Sequence, residues 1–227
     1  MRVLTWNLFH GRALPNAGRD LLAEFQDALA AWEWDVALLQ EVPPWWPPKL
    51  GRATGASARM ALTSRNLFPC LRRPIAERFP DLIKSNGGGA NAILVRGQAI
   101  AEHRKLTLRH LPERRVMHAV RVHDCWVGNL HAQVHSESRA QADLRKAATA
   151  LLTWAGPTLP AVLGGDTNTR RPNAPGLANA GGHDVDFVLA RGLARRGKVE
   201  VLDRGALSDH KPVVVDLVTP LEGSVAR

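Results

Sequence analysis

Ala161-Val162-Leu163-Gly164-Gly165-Asp166-Thr167-Asn168 reads as a short apolar strand that runs out into two glycines, then an acid, a hydroxyl and an amide. A short apolar run closed by turn residues has the form of a buried strand. The glycines let the backbone turn tightly or approach a ligand closely. Asp166 and Asn168 lie two residues apart, so on extended backbone their side chains share a face. An Asp there can orient or deprotonate an attacking water, and the Asn amide can donate to a phosphoryl oxygen. The plainer use of such residues is an Asx-turn.

The same arrangement recurs along the chain. Trp6-Asn7 follows the strand-like run from Arg2, Gln40-Glu41 follows Asp35 to Leu39, and Asn129-Leu130-His131 ends a run from Cys125. Ser208-Asp209-His210 comes just before Pro212 to Val218. Side chains at so many strand ends can converge on one rim and hold a divalent metal and a phosphate. A carboxylate at the end of a buried strand is costly unless paired or bound to a cation. Mg²⁺ prefers oxygen ligands, so Glu41 reads as a metal ligand, helped by Asn7 and Asp209. His210 needs a carboxylate to fix its tautomer. Adjacent Asp209 points elsewhere in this reading, which leaves Asp186, alternating with apolar neighbours, and Asp184 of the same parity as its competitor. A His with an Asp partner acts on water or stabilises a phosphate as a cation. His131 reads as a donor to a phosphate oxygen and His135 as a weaker one. His10, His103, His110, His118, His123 and His183 carry no motif.

Between these clusters the chain predicts more strands than helices. Helical spacing of Leu21, Leu22, Phe25, Leu29 and Trp32 gives a helix over Gly18 to Trp34, and a second covers Glu137 to Trp154. Pro43-Pro44-Trp45-Trp46-Pro47-Pro48 excludes helix at that point. Its tryptophans form either a stacking platform beside the site or a proline-braced hydrophobic plug. Ser57 to Leu67 fits a helix, and Arg72 to Lys84 shows no clear period. After Gly87-Gly88-Gly89, strands follow at Asn91 to Val95 and Ala99 to Leu108. Val116 to Val122 and Cys125 to Leu130 form a hairpin turning at His123-Asp124. Asn173 to Gly182 reads as a loop. Asp184 to Leu189, Val199 to Leu202 and Pro212 to Val218 are strand-like, and the last residues fray. A two-sheet sandwich flanked by helices fits this order. A dinucleotide-binding sheet does not, because no Gly-x-Gly-x-x-Gly follows the first strand, and no Walker loop is present.

The 227 residues suit one large domain, 1–227. Lys plus Arg total 30 against 21 acids, a net charge of +9 that favours an anionic substrate or surface, although a solvated Arg-rich exterior gives the same number. Cys70 and Cys125 make no disulfide framework and no metal-ligand spacing. The N-terminus enters a strand at once, and no apolar run is long enough to span a bilayer. A soluble, cytoplasmic monomer is the expectation.

Taken in order, Trp6-Asn7, Gln40-Glu41, Asn129-Leu130-His131, Gly165-Asp166-Thr167-Asn168, Val185-Asp186-Phe187-Val188 and Ser208-Asp209-His210 resemble the endonuclease/exonuclease/phosphatase family of deoxyribonuclease-like, metal-dependent phosphohydrolases. The resemblance implies a four-layer α/β sandwich, two mixed β-sheets packed face to face with helices outside. It implies Mg²⁺ or Mn²⁺, with Glu41 as principal ligand, Asn7 nearby and Asp209 as a second carboxylate on the metal side. It makes Asp166 the acid that activates or orients water, Asn168 a phosphate ligand, His210 the catalytic His paired with Asp186, and His131 the second active-site His. Arg115 sits about where members place a phosphate-facing Arg, with Arg114 an equal alternative. The chain departs from the family in having no tyrosine and in being short. The expected activity is hydrolysis of phosphoester bonds by water, without a covalent phosphoenzyme. The charge favours DNA or RNA, cut as an endonuclease or exonuclease. The alternatives are small or lipid phosphoesters and a non-catalytic basic binding module.

Overall fold

β1 (Arg2–Asn7) and β2 (Val36–Val42) run parallel, joined across one face of their sheet by α1 (Leu22–Ala31). The computed structural model describes residues 1–63, 66, 68–82 and 89–220. α2 (Pro47–Thr54), β3 (Ala56–Leu62), α3 (Pro69–Arg78) and β4 (Ala90–Arg96) complete the first third of the chain. β5 (Ile100–Arg109), β6 (Arg115–Val122) and β7 (Cys125–His131) form an antiparallel run. α4 (Glu137–Ala155) then crosses to β8 (Ala161–Asp166), parallel to β7. β9 (Ala178–His183), β10 (Asp186–Arg191), β11 (Ala194–Arg195), β12 (Glu200–Val201) and β13 (Val213–Val218) close the fold.

The strands make two mixed sheets. One has the order β11-β13-β1-β2-β4-β3, with β12 also on β13; the other has the order β5-β6-β7-β8-β10-β9. The first sheet is therefore built from both ends of the chain, and the second lies wholly between them in sequence. Val3, Val36, Leu38, Ile93 and Val215 of the first sheet pack on Val120, Val127, Val162 and Val188 of the second. The outer face of the first sheet packs on Phe25, Leu29, Trp46 and Leu50 of the α1–α2 layer. The outer face of the second packs on Leu144, Ala147, Ala148 and Leu151 of α4. Strands covered on both faces read as nearly continuous apolar runs, as β2 and β8 do. The result is the expected four-layer α/β sandwich. No described helix is long and apolar enough to cross a membrane.

Several expectations are corrected. The proline cluster starts a helix, because Pro47 occupies the first turn of α2, where a missing N–H costs nothing. Trp46 is fully buried against Phe25, ring centroids 5.4 Å apart, so it is a plug and not a stacking platform. The helix expected over Ser57 to Leu67 is strand β3 as far as Leu62, held by its pairing with β4; residues 64, 65 and 67 lie outside the described residues. α3 occupies the start of the stretch without period, whose Lys84 lies outside the described residues, as do Gly87 and Gly88 and the terminal residues expected to fray. Part of the loop expected at Asn173 to Gly182 is β9, whose Gly and Ala residues pair with β10.

Candidate active site

The topology gathers the strand-end residues at one edge of both sheets. In the first sheet Asn7 stands beside Gln40 on parallel strands. In the second, His131, Asp166 and Asp186 lie side by side in register on β7, β8 and β10. The β2–β4 pairing slips between Leu39 and Val42. That bulge turns Glu41, at φ 50°, out of the ladder and into the rim. Phe9 (φ 49°), His10 (55°), Asn168 (48°) and Ser208 (62°) share this left-handed conformation around the same rim. Such backbone costs energy in non-glycine residues and concentrates where side chains must be aimed at a ligand.

One cavity of about 310 Å³ opens at this rim, with Asn7, His10, Glu41, Arg115, His131, Asp166, Asn168, Asp209 and His210 in its wall. Buried Asp166 is the hub. Its Oδ2 accepts from Asn7 Nδ2 at 3.0 Å, lies 3.4 Å from His131 Nε2 and 3.9 Å from His210 Nε2. Its Oδ1 accepts the backbone N–H of Asn168 at 3.0 Å. Asn168 Nδ2 donates to the Ala132 carbonyl at 3.0 Å, and Asn7 Oδ1 accepts the N–H of Phe9 at 2.9 Å. The loop carrying Asp209 and His210 is pinned by buried Ser208, whose Oγ donates to the Asn7 carbonyl at 2.6 Å and accepts from His210 N at 3.0 Å. Trp6 Nε1 donates to the His210 carbonyl at 3.0 Å.

His210 Nδ1 lies 2.7 Å from Asp186 Oδ2. Burial works against the charged ring, but the hydrogen bond and charge of Asp186, then Asp166 and Asp209, prevail and raise its pKa to about 10. The imidazole is therefore a cation near neutral pH. Asp184 sits outside, exposed and paired with Arg170 at 2.7 Å, so the structure chooses Asp186 between the two candidates. His131 is the opposite case. Burial first, then the charges of Arg115, His210 and His10, hold it well below the ordinary 6.5 and leave it neutral. Arg115 is buried and bonded to Glu113 at 2.7 Å, and its buried Nε has no protein partner. Arg114 lines the same cavity from an exposed position.

Sequence reasoning missed His10. It follows β1 without a motif, yet its Nε2 lies 3.0 Å from Glu41 Oε2. The one signal was Gly11, whose φ of 77° and contact with the Trp46 ring leave no room for a Cβ. His135, the weaker expectation, also lines the cavity.

The acids test whether a cation fits. Burial raises Glu41 to about 7, and the charges of Asp166 and Asp209 add to the rise, while Arg115 and His210 oppose it. Burial likewise raises Asp166. Acids that hinder each other's ionisation in a water-poor pocket gain from an added positive charge. Asp166, Asp186 and His210 bring donor atoms within 4.8 Å of one another. His210 Nδ1 in that trio is already engaged by Asp186. The oxygen donors of Glu41, Asp209 and Asn7 are the harder set and suit Mg²⁺ or Mn²⁺.

Two mixed sheets meet at one acid- and imidazole-lined rim. Residues 4–210 match the model of the Endonuclease/Exonuclease/phosphatase family, and the chain belongs to that family. No curated protein matches it in sequence. Among solved structures it is similar to an endonuclease/exonuclease/phosphatase from Beutenbergia cavernae, at 19% identity and TM-score 0.71, over 96% of this chain and 71% of that one. It is similar to a mannosyl-6-phosphatase from Bacteroides thetaiotaomicron, at 15% identity and TM-score 0.71, over 96% and 99%. A humanized D. rerio TDP2 matches at 14% identity and TM-score 0.70, over 96% and 99%. These likenesses establish the fold.

Proposed function

We propose that this protein is a Mg²⁺- or Mn²⁺-dependent phosphodiesterase that acts on nucleic acid. The observation that carries the reaction is Asp166, buried at the join of the two sheets and within reach of Asn7, His131 and His210 together. Glu41, Asp209 and the Asn7 amide oxygen would hold the cation. When bound, it supplies Lewis acidity to a phosphoryl oxygen.

The chain's own groups do the rest. Asp166 orients the attacking water and takes its proton, with Asn7 and the Asn168 N–H holding the carboxylate in place. His210, kept cationic by Asp186, faces the negative charge that builds on the phosphoryl oxygens. Neutral His131, Asn168 and the free Nε of Arg115 hold the remaining oxygens.

The net charge of +9 supports a polyanionic substrate. A second reading, small or lipid-linked phosphoesters, is favoured by exposed leucines at the mouth, Leu62 and Leu111. The test is hydrolysis of single- and double-stranded oligonucleotides, bis(p-nitrophenyl) phosphate and sugar phosphates, with Mg²⁺, Mn²⁺ or chelator. Metal-dependent cleavage of oligonucleotides that weakens steeply with salt supports the first reading. Turnover of small or lipid phosphoesters with oligonucleotides untouched selects the second. No turnover of any phosphoester with either metal would leave a basic binding module.

A further inference from the structure

α3 is turned inside out. Leu71 and Ile75, four residues apart, share one side of the helix, and Phe68 and Phe79 flank it as its N-cap and C-cap. A surface helix normally points such a stripe at the core. Here it points at water: Phe68 is 72% exposed and Leu71 71% exposed, with Ile75 and Phe79 also exposed. Leu82, in the turn that follows, is 75% exposed. The side facing the protein carries small, buried Ala76, with Pro80 buried just beyond the helix.

The charges beside the stripe lean positive. α3 carries Arg72, Arg73 and Arg78. Its one acid, Glu77, is paired with Arg73 at 3.0 Å, and Asp81 accepts the N–H of Gly18 at 2.8 Å. Residues 59–84 hold six Lys or Arg against two acids in the sequence. Two more exposed leucines adjoin residues of the cavity wall in sequence. Leu62 precedes Thr63 in the cavity wall, and Leu111, 78% exposed, lies three residues before Arg114, which also lines it. Arg114 Nη1 donates to the Leu62 carbonyl at 3.2 Å, and Asn66, between β3 and α3, donates to the Thr63 and Gly89 carbonyls, each at 2.9 Å.

We propose that the exposed face of α3 docks this protein on an anionic lipid bilayer. Aliphatic and aromatic side chains enter the boundary between headgroups and acyl chains, while flanking arginines meet the anionic headgroups. Three of the five exposed apolar side chains, Leu71, Ile75 and Leu82, offer nothing to stack on a base and stand among Phe68 and Phe79, which favours a lipid surface over a nucleic-acid platform. Docking stands apart from the choice of phosphoester, since no α3 residue lines the cavity.

The test is flotation with phosphatidylcholine vesicles and with vesicles containing phosphatidylglycerol. The wild-type chain floats with the anionic vesicles and much less with pure phosphatidylcholine. Changing Leu71→Ser, Ile75→Ser and Phe79→Ser together lowers that partition by roughly a hundredfold, because several apolar side chains lose their burial. The thermal midpoint and the hydrolysis of soluble bis(p-nitrophenyl) phosphate stay as they are. A second readout leaves α3 apolar residues intact. Cys70 is exposed on α3, whereas burial pushes the Cys125 thiol up to about 12, so an environment-sensitive dye attaches at Cys70. Its emission shifts to the blue on anionic vesicles. Absence of flotation, equal binding to pure phosphatidylcholine, an unshifted dye, or a wild-type dimer that the triple variant dissolves would each overturn the proposal. Glu41→Gln abolishes hydrolysis and leaves flotation unchanged, so a failure of docking is distinguishable from a failure of the phosphodiesterase reading.

Discussion

Asn7 Nδ2 donates to Asp166 Oδ2 at 3.0 Å across the join between the two sheets, so one amide of the first sheet positions the central acid of the second. Asp166→Asn keeps the shape and removes the proton acceptor. Its kcat falls by about 10²–10⁴-fold while substrate binding changes little. Asn7→Ala strands a buried carboxylate and costs about 1–3 kcal/mol of stability as well as activity. Steady-state kinetics and thermal melts check both.

Asp186 controls the charge of His210. In Asp186→Asn the carboxylate that raises the ring to about 10 is gone, and the imidazole pKa drops toward its ordinary 6.5. The wild-type ring stays cationic until pH approaches about 10; the variant sheds its proton well below that. Histidine ring NMR measures the shift, and the alkaline limb of the rate profile moves down with it.

Glu41 couples cation binding to pH. Its carboxyl, raised to about 7, is protonated below that pH and must lose the proton to bind a metal. Affinity for Mn²⁺ therefore weakens as pH falls through about 7, by up to roughly tenfold per pH unit. Calorimetry in buffers of different ionisation enthalpy detects the released proton, and Glu41→Gln removes most of the dependence.

A separate pair of imidazoles sets acid stability. His103 Nε2 and His118 Nδ1 lie 3.1 Å apart. Burial first, then Lys105 and Arg59, lower His103 from 6.5 to about 4, and burial, then His103 and Lys105, lower His118 well below 6.5. A histidine depressed by folding stabilises the fold above pH 6.5. That stability is lost as pH falls from 6.5 toward about 4, where the unfolded chain takes up protons that the folded chain refuses. Urea melts across this range show the loss, and His103→Leu with His118→Leu reduces it, leaving the share of buried His131.

Gly165 has no room for a methyl group. At φ 135° its Cβ would run into the Leu130 carbonyl on the neighbouring strand, next to both His131 and Asp166. Gly165→Ala should cost about 3 kcal/mol or more. Any folded fraction, isolated at low temperature, shows a lowered kcat.

What the sequence made legible follows from local signals. The acids and imidazoles ending β2, β7 and β8, and those ahead of β13, could be found because each adjoins a clear apolar run. Asp186 could be narrowed to two choices by parity, and only tertiary pairing with Arg170 removed Asp184. β3 was hidden because Ala-Ser-Ala-Arg-Met-Ala-Leu consists of helix formers, and its strand form comes from β4. β9, Ala-Asn-Ala-Gly-Gly-His, resembles a loop because Asn and Gly are turn residues, and its strand form comes from β10. His10 owes its place to a left-handed turn braced by Trp46, far away in sequence, of which the neighbouring Gly11 is the one local trace.

The first sheet takes β1 to β4 from the start of the chain and β11 to β13 from its end. A growing chain emerging from the ribosome thus holds Asn7 and Glu41 for the whole time that the intervening strands are made. Asp209 and His210 join them late, when the loop that carries them is pinned by Ser208 to the Asn7 carbonyl. A fragment that stops before Ser208 has neither Asp209 nor His210 and should leave untouched whatever phosphoester the longer chain cuts.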